Sequence, residues 1–110
     1  MVLKTVGLAE PLAKALAPLG SRLTDAFVFG SVAAGQDSSA SDIDVAVVGD
    51  VNLFDLSPLV DSVELELGRA VHVNVYSDQE WASDDAVLAA IRTGPRIDLM
   101  EGIRAETRDV

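Results

Sequence analysis

The sequence predicts an α/β or α+β sandwich, and three observations predict it. Leu8, Leu12, Leu16 and Leu19 recur at helical spacing, and so do Leu59, Val60, Val63 and Leu67. Three short apolar runs, Thr24 to Phe29, Ile43 to Val48 and Ala70 to Tyr76, alternate with these helical segments and are bounded by turn-forming residues. The first two runs are joined by a loop of small residues. It opens with Gly30-Ser31, passes through Val32-Ala33-Ala34-Gly35 and Gln36-Asp37-Ser38-Ser39-Ala40, and ends at Ser41-Asp42-Ile43-Asp44.

The elements follow in order. A helix is expected from about Ala9 to Ala17, with Pro11 in its first turn and Pro18 to Gly20 closing it. Thr24 to Phe29 is apolar on both faces and therefore belongs in the middle of its sheet. A tight turn, with one helical turn inside it, spans Ser31 to Gly35. Ile43 to Val48 forms the second strand, stopped by Gly49-Asp50, and Val51 to Leu56 reads as a loop. Ser57 caps the next helix with Pro58 at its first position, and Gly68 ends it in a left-handed conformation. In the third strand Val71, Val73 and Val75 share one face, and His72, Asn74 and Tyr76 the other. Ser77-Asp78-Gln79-Glu80 is a capping box that starts a short helix. Ser83 caps another, with Asp84 and Asp85 in its first turn and Val87, Leu88 and Ile91 inside; Gly94-Pro95 stops it. Arg96 to Met100 is a candidate last strand, and Glu101 to Val110 reads as a polar, frayed tail.

All 110 residues form one domain, with its core at about residues 8–100. No apolar run is long enough to span a membrane, and Met1 to Leu8 lacks the pattern of a signal peptide. The absence of cysteine excludes a disulfide frame and thiolate chemistry, and fits a cytoplasmic location. Eighteen acidic residues against eight basic ones give a formal net charge of −10. No direct nucleic-acid binding is expected of such a chain, because phosphate contacts need a basic face. A basic protein partner suits it, as does a small anionic substrate whose charge a cation masks. A homodimer through its apolar strands is a further expectation.

The loop carries the chemistry. Glycine lets backbone approach a bulky anion, and the Ser31 hydroxyl adds to the N–H groups of the following turn. Asp42 and Asp44, two apart at a strand start, point to one face and suit Mg²⁺. Ordinary structure offers a competing account: a strand ending in a turn, with two solvated aspartates beyond. Against that account, Asp44 interrupts an apolar run, where an unpaired carboxylate is costly and a bound cation would relieve the cost.

Gly30-Ser31, ten intervening residues and Asp42-Ile43-Asp44 together resemble the signature of the DNA polymerase β-type nucleotidyltransferase superfamily, and in particular its small MNT-like branch of minimal nucleotidyltransferases. The resemblance implies a nucleotidyltransferase core, a small mixed sheet backed by helices. It implies Mg²⁺-dependent transfer of a nucleoside monophosphate from a nucleoside triphosphate, ATP in the first instance, to a hydroxyl. Gly30 and Ser31 would hold the phosphates, and Asp42 and Asp44 would bind Mg²⁺ (or Mn²⁺) and serve catalysis.

Two departures weaken triphosphate binding and metal chemistry together. Active relatives place a third acid on the strand after the intervening helix, where this chain offers His72, Asn74 and Tyr76; His72 is the candidate substitute at that position. Glu64 or Glu66 could stand in only if the preceding helix tipped one inward. Relatives also often carry Arg or Lys before the second glycine of the loop, where this chain has Ala34; Arg22 and Arg69 are the basic residues nearest in sequence. The alternative is a non-catalytic module. MNT-like antitoxins pair with helical HEPN toxins, and Val75-Tyr76-Ser77 with Gly94-Pro95-Arg96-Ile97 resembles a sub-branch fused to a DNA-binding winged helix. The residues before Thr24 are too few for such a winged helix.

Overall fold

A computed structural model of the chain describes residues 4–35 and 42–108. Its four strands, β1 (Leu23–Phe29), β2 (Ile43–Gly49), β3 (Val71–Tyr76) and β4 (Ile97–Asp98), form one sheet in the order β3-β2-β1-β4. β2 and β3 run parallel, and both other pairings are antiparallel. This is the small mixed sheet expected. β2 lies inside it, and its buried Val45, Ala46, Val47 and Val48 explain its almost unbroken apolar sequence.

Among the described residues six α-helices accompany the sheet: α1 (Lys4–Leu16), α2 (Gly30–Ala33), α3 (Leu53–Leu67), α4 (Asp78–Trp81), α5 (Ala86–Thr93) and α6 (Met100–Arg108). One sheet face carries Ala26, Val28, Val45, Val47 and Val71 into the main core, against Leu12 and Leu16 of α1, Leu56 and Val63 of α3, and Ile103 of α6. On the opposite face Phe27 is fully buried, with Phe29 and Trp81 at its edges and the Arg96 guanidinium 3.8 Å from its ring centre. Trp81 in turn packs on Tyr76 and under Arg92.

Several boundaries differ from expectation, each for a local reason. α1 begins at Lys4, so Pro11 lies inside it and removes one intrahelical bond while Leu12, Ala13 and Leu16 hold the helix on the core. A 3₁₀ turn over Ala17–Arg22 then leads into β1. α3 starts at Leu53, not at Pro58. Asn52 caps it by accepting the Asp55 N–H at 2.9 Å, while the Asp55 carboxylate accepts the Asn52 N–H at 3.2 Å. Arg22 pins Asp55 at 2.9 Å, so Pro58 falls inside the helix, and the carbonyl it leaves unbonded belongs to Phe54, 90% exposed and open to water. Gly68 does end α3 at φ 67°, as the sequence implied.

The capping box at Ser77 and Glu80 forms as read. α5 is capped by Asp85, not Ser83, and Val87 points outward while Leu88 is buried. β4 is only two residues long. The expected tail is instead mostly helix α6: Met100 and Ile103 are buried beside Leu99, and the Asp98 carboxylate accepts the Glu101 N–H at 3.1 Å. Gly102 lets α6 cross α1 closely, since a Cβ there would stand 2.8 Å from that of Ala13. No described helix is long and apolar enough to cross a membrane.

Candidate functional site

The sheet register collects the residues that the sequence singled out. Phe29, at the end of β1, pairs with Asp44 of β2, and Asp44 pairs with His72 of β3. The three therefore stand side by side on the sheet face opposite the main core, at the end where β2 and β3 begin. Asp44 is half-buried; Asp42, immediately before β2, is exposed.

Gly30 follows Phe29 and opens α2 at φ 76°. Its α-carbon faces the Asp44 carboxylate so closely that a Cβ built on it would lie 2.7 Å from Asp44 Oδ2. Loop glycine and strand carboxylate, fourteen positions apart in the chain, are thus in direct apposition, which only a residue without a side chain permits. Ser31 is the second residue of α2. The loop residues 36–41 lie outside the described residues, as does the Ser31 side chain.

His72 takes the register position beside Asp44, and its Nε2 lies 2.8 Å from Asp42 Oδ2. The hydrogen bond and charge of Asp42, with smaller help from Asp44 and Glu64, raise the imidazole pKa above its ordinary 6.5. The sign follows from the form that is favoured. Asp42 stabilises the imidazolium, so the pair persists below pH 6.5 and is released as pH rises through the raised value. Because both side chains are more than half exposed, the pair adds little to stability. His72 is the one histidine in the chain, so its ring gives a single NMR signal to follow. Asp42→Asn is expected to lower that titration midpoint, by removing the largest cause of the raised value; an unchanged midpoint would show that Asp42 does not set it.

The remaining polar candidates are engaged elsewhere. Glu64 does approach the strand end, but its Oε2 accepts the Val71 N–H at 2.7 Å instead of facing Asp44, and Glu66 stays exposed on α3. Arg22 is held by Asp55 and by the Asp50 carbonyl, and Arg96 by Asp25 at 2.8 Å and Asp98 at 3.7 Å. Arg92 donates to the carbonyls of Trp81 and Ser83. The Asp42–His72 contact was not anticipated from the sequence, where the two stand thirty residues apart. Nor was a cavity of about 240 Å³ that opens beside Gly30, lined by Phe29, Ala90, Ile91, Gly94 and Pro95.

Among the described residues no group of three or more His, Cys, Asp or Glu is arranged to hold a metal ion by itself. Asp42 and Asp44 nevertheless suit one Mg²⁺, which commonly takes one or two carboxylates and completes its shell with water and substrate phosphate oxygens. Two carboxylates would leave such an ion to complete its shell from other ligands and do not make a self-standing metal centre.

Comparison with known proteins adds the family. A model of the nucleotidyltransferase domain matches residues 10–103, a span that includes Gly30, Asp42, Asp44 and His72. No curated protein sequence matches the chain. Among solved structures, a toxin–antitoxin crystallised with AMP-PNP superposes with a TM-score of 0.63 at 20% identity, over 92% of this chain and 84% of that one. At that identity the likeness is one of fold. A candidate nucleotidyltransferase from Sulfolobus solfataricus gives a TM-score of 0.39 at 22% identity, over 73% of this chain and 79% of that one, too loose to bear on the fold. A four-stranded mixed sheet that sets a loop glycine against a strand aspartate, matched over most of its length by one domain model, places the chain plainly: it belongs to the nucleotidyltransferase domain family.

Proposed function

We propose that the chain binds a nucleoside triphosphate with Mg²⁺ across Gly30, Asp42 and Asp44 and transfers its nucleoside monophosphate to a hydroxyl. The apposition of the Gly30 α-carbon and the Asp44 carboxylate carries this reading. It puts a hard anionic ligand directly beside the loop that would meet the phosphates. Gly30 and Ser31 would hold the triphosphate, with the nucleoside, ATP in the first instance, extending toward the cavity beside Gly30. Bound Mg²⁺ (or Mn²⁺) would offset the phosphate charge, Arg22, Arg92 and Arg96 being held by other groups. In the transfer the acceptor oxygen bonds to the α-phosphorus, the α–β bridge opens and pyrophosphate leaves. His72, beside Asp44 in the sheet and hydrogen-bonded to Asp42, would in its neutral form take the acceptor proton.

One observation favours a second reading, a non-catalytic antitoxin-like module. The strand position in register with Asp44 holds His72 where active MNT-like relatives have an acid, and a poor Mg²⁺ ligand there weakens turnover. The toxin–antitoxin neighbour supports a protein partner for either reading; that this partner is a helical protein of the HEPN type, met in the cytoplasm, is part of the proposal.

Calorimetric titration with ATP and the other triphosphates, with and without Mg²⁺, tests the site. Binding is expected to require Mg²⁺ and to vanish in Asp42→Asn/Asp44→Asn. No heat with any nucleotide would overturn the enzyme reading and leave the partner-binding one.

A further inference from the structure

The outer face of α3 is apolar, exposed and unused by the nucleotide site. Phe54 is 90% exposed, Leu65 87% and Leu53 61%, three of the four large hydrophobic residues most open to water among those described. Lone exposed hydrophobes need no explanation, but these fall into a pattern. Phe54, Pro58, Asp61 and Leu65 follow one another at steps of four, three and four, the spacing of a coiled-coil seam. All four are exposed, while Leu56 and Val63 on the opposite side of the helix are buried in the core. Concave surfaces of about 210 and 530 Å³ flank the seam along α3, and Asp61 lines both.

We propose that this seam docks a cationic amphipathic helix of a partner protein, with its apolar residues against Phe54, Pro58 and Leu65 and a Lys or Arg against Asp61. The charge at the middle of the seam selects the occupant. A second copy would set against Asp61 its own counterpart in a parallel packing or Pro58 in an antiparallel one, never a cation, and would join two chains that each carry a formal net charge of −10. A basic residue at that point removes the conflict, and a single polar position in an apolar seam also fixes register. α3 backs the sheet face opposite Asp44 and His72, so a helix docked there leaves the nucleotide site open.

The test uses two fluorescent synthetic helices of about three heptads, leucine at the seam positions and either lysine or glutamate at the central one. Fluorescence anisotropy with the full chain is expected to show binding of the lysine peptide in preference to the glutamate one. Phe54→Ser/Leu65→Ser should weaken that binding at least about tenfold. Asp61→Lys should reverse the preference between the two peptides. Circular dichroism melts confirm that the variants, changed only at exposed positions, remain folded. No peptide binding, equal binding by the folded double variant, or no reversal in Asp61→Lys would overturn the proposal. So would a sedimenting homodimer that Phe54→Ser/Leu65→Ser dissociates, because a second copy would then occupy the seam.

Discussion

Gly30→Ala is expected to weaken Mg²⁺-dependent nucleotide binding while leaving a folded protein. The added Cβ would stand 2.7 Å from Asp44 Oδ2, nearer than such atoms approach, and the carboxylate must swing away. It can do so cheaply, being the end of a side chain that is only half-buried. The backbone contributes a second cost, since alanine at φ 76° is disfavoured by about 1–2 kcal/mol. On a domain of this size that lowers the melting temperature by roughly 5 °C. Binding suffers more, because the substitution fills the approach over the backbone and moves a proposed metal ligand at once. A loss of at least about tenfold in affinity, some 1.4 kcal/mol, is expected by calorimetry against the wild type. Wild-type affinity in a folded Gly30→Ala variant would remove the apposition as the basis of the site.

Gly49→Ala is expected to be worse for the fold and to say nothing about the site. At φ 149°, Gly49 ends β2 opposite Leu23, and a Cβ there would meet the Arg22 carbonyl oxygen at 2.3 Å and the Leu23 α-carbon at 2.9 Å. These are backbone atoms at the junction of the 3₁₀ turn and β1 and cannot turn aside. Arg22 is also fixed through its carbonyl, which accepts the Asp50 N–H at 3.0 Å, and through its guanidinium on Asp55. Relief therefore means parting β1 from β2 at that end. Steric overpacking and the unfavourable φ together cost about 3 kcal/mol or more. Chemical denaturation should show that loss as a lower midpoint at unchanged slope. A loss below about 1 kcal/mol would mean that the strand ends separate without resistance.

The two glycines show how differently sequence and structure speak. Both close an apolar strand in a run that reads as strand then turn, and although the spacing to Asp42 and Asp44 singles out Gly30, no local pattern shows what either glycine touches. Gly30 touches a carboxylate from the next strand and Gly49 a backbone from the previous one, a difference set wholly by the antiparallel register of β1 and β2.

By itself the sequence determined which residues face which side of the edge strand β3, because strand periodicity and burial are local properties: Val71, Val73 and Val75 turn to the core, and His72, Asn74 and Tyr76 away. It also determined the family, through the fixed separation of Gly30-Ser31 from Asp42 and Asp44. Helix starts were less legible. Asn52 with Asp55 and Ser57 with Pro58 are both sound starting signals, and the choice fell to Arg22, an ion-pair partner thirty-three residues from Asp55. The helical end of the chain was legible only in part: Asp98 capping Glu101 is a local signal, but Met100 and Ile103 become a buried face only once α1 lies beside them. What tertiary structure alone decided is the pairing across strands. It set His72 against Asp42, the Asp44 carboxylate against Gly30, and Phe54 and Leu65 on open water, since each contact depends on register and packing between segments that no local pattern links.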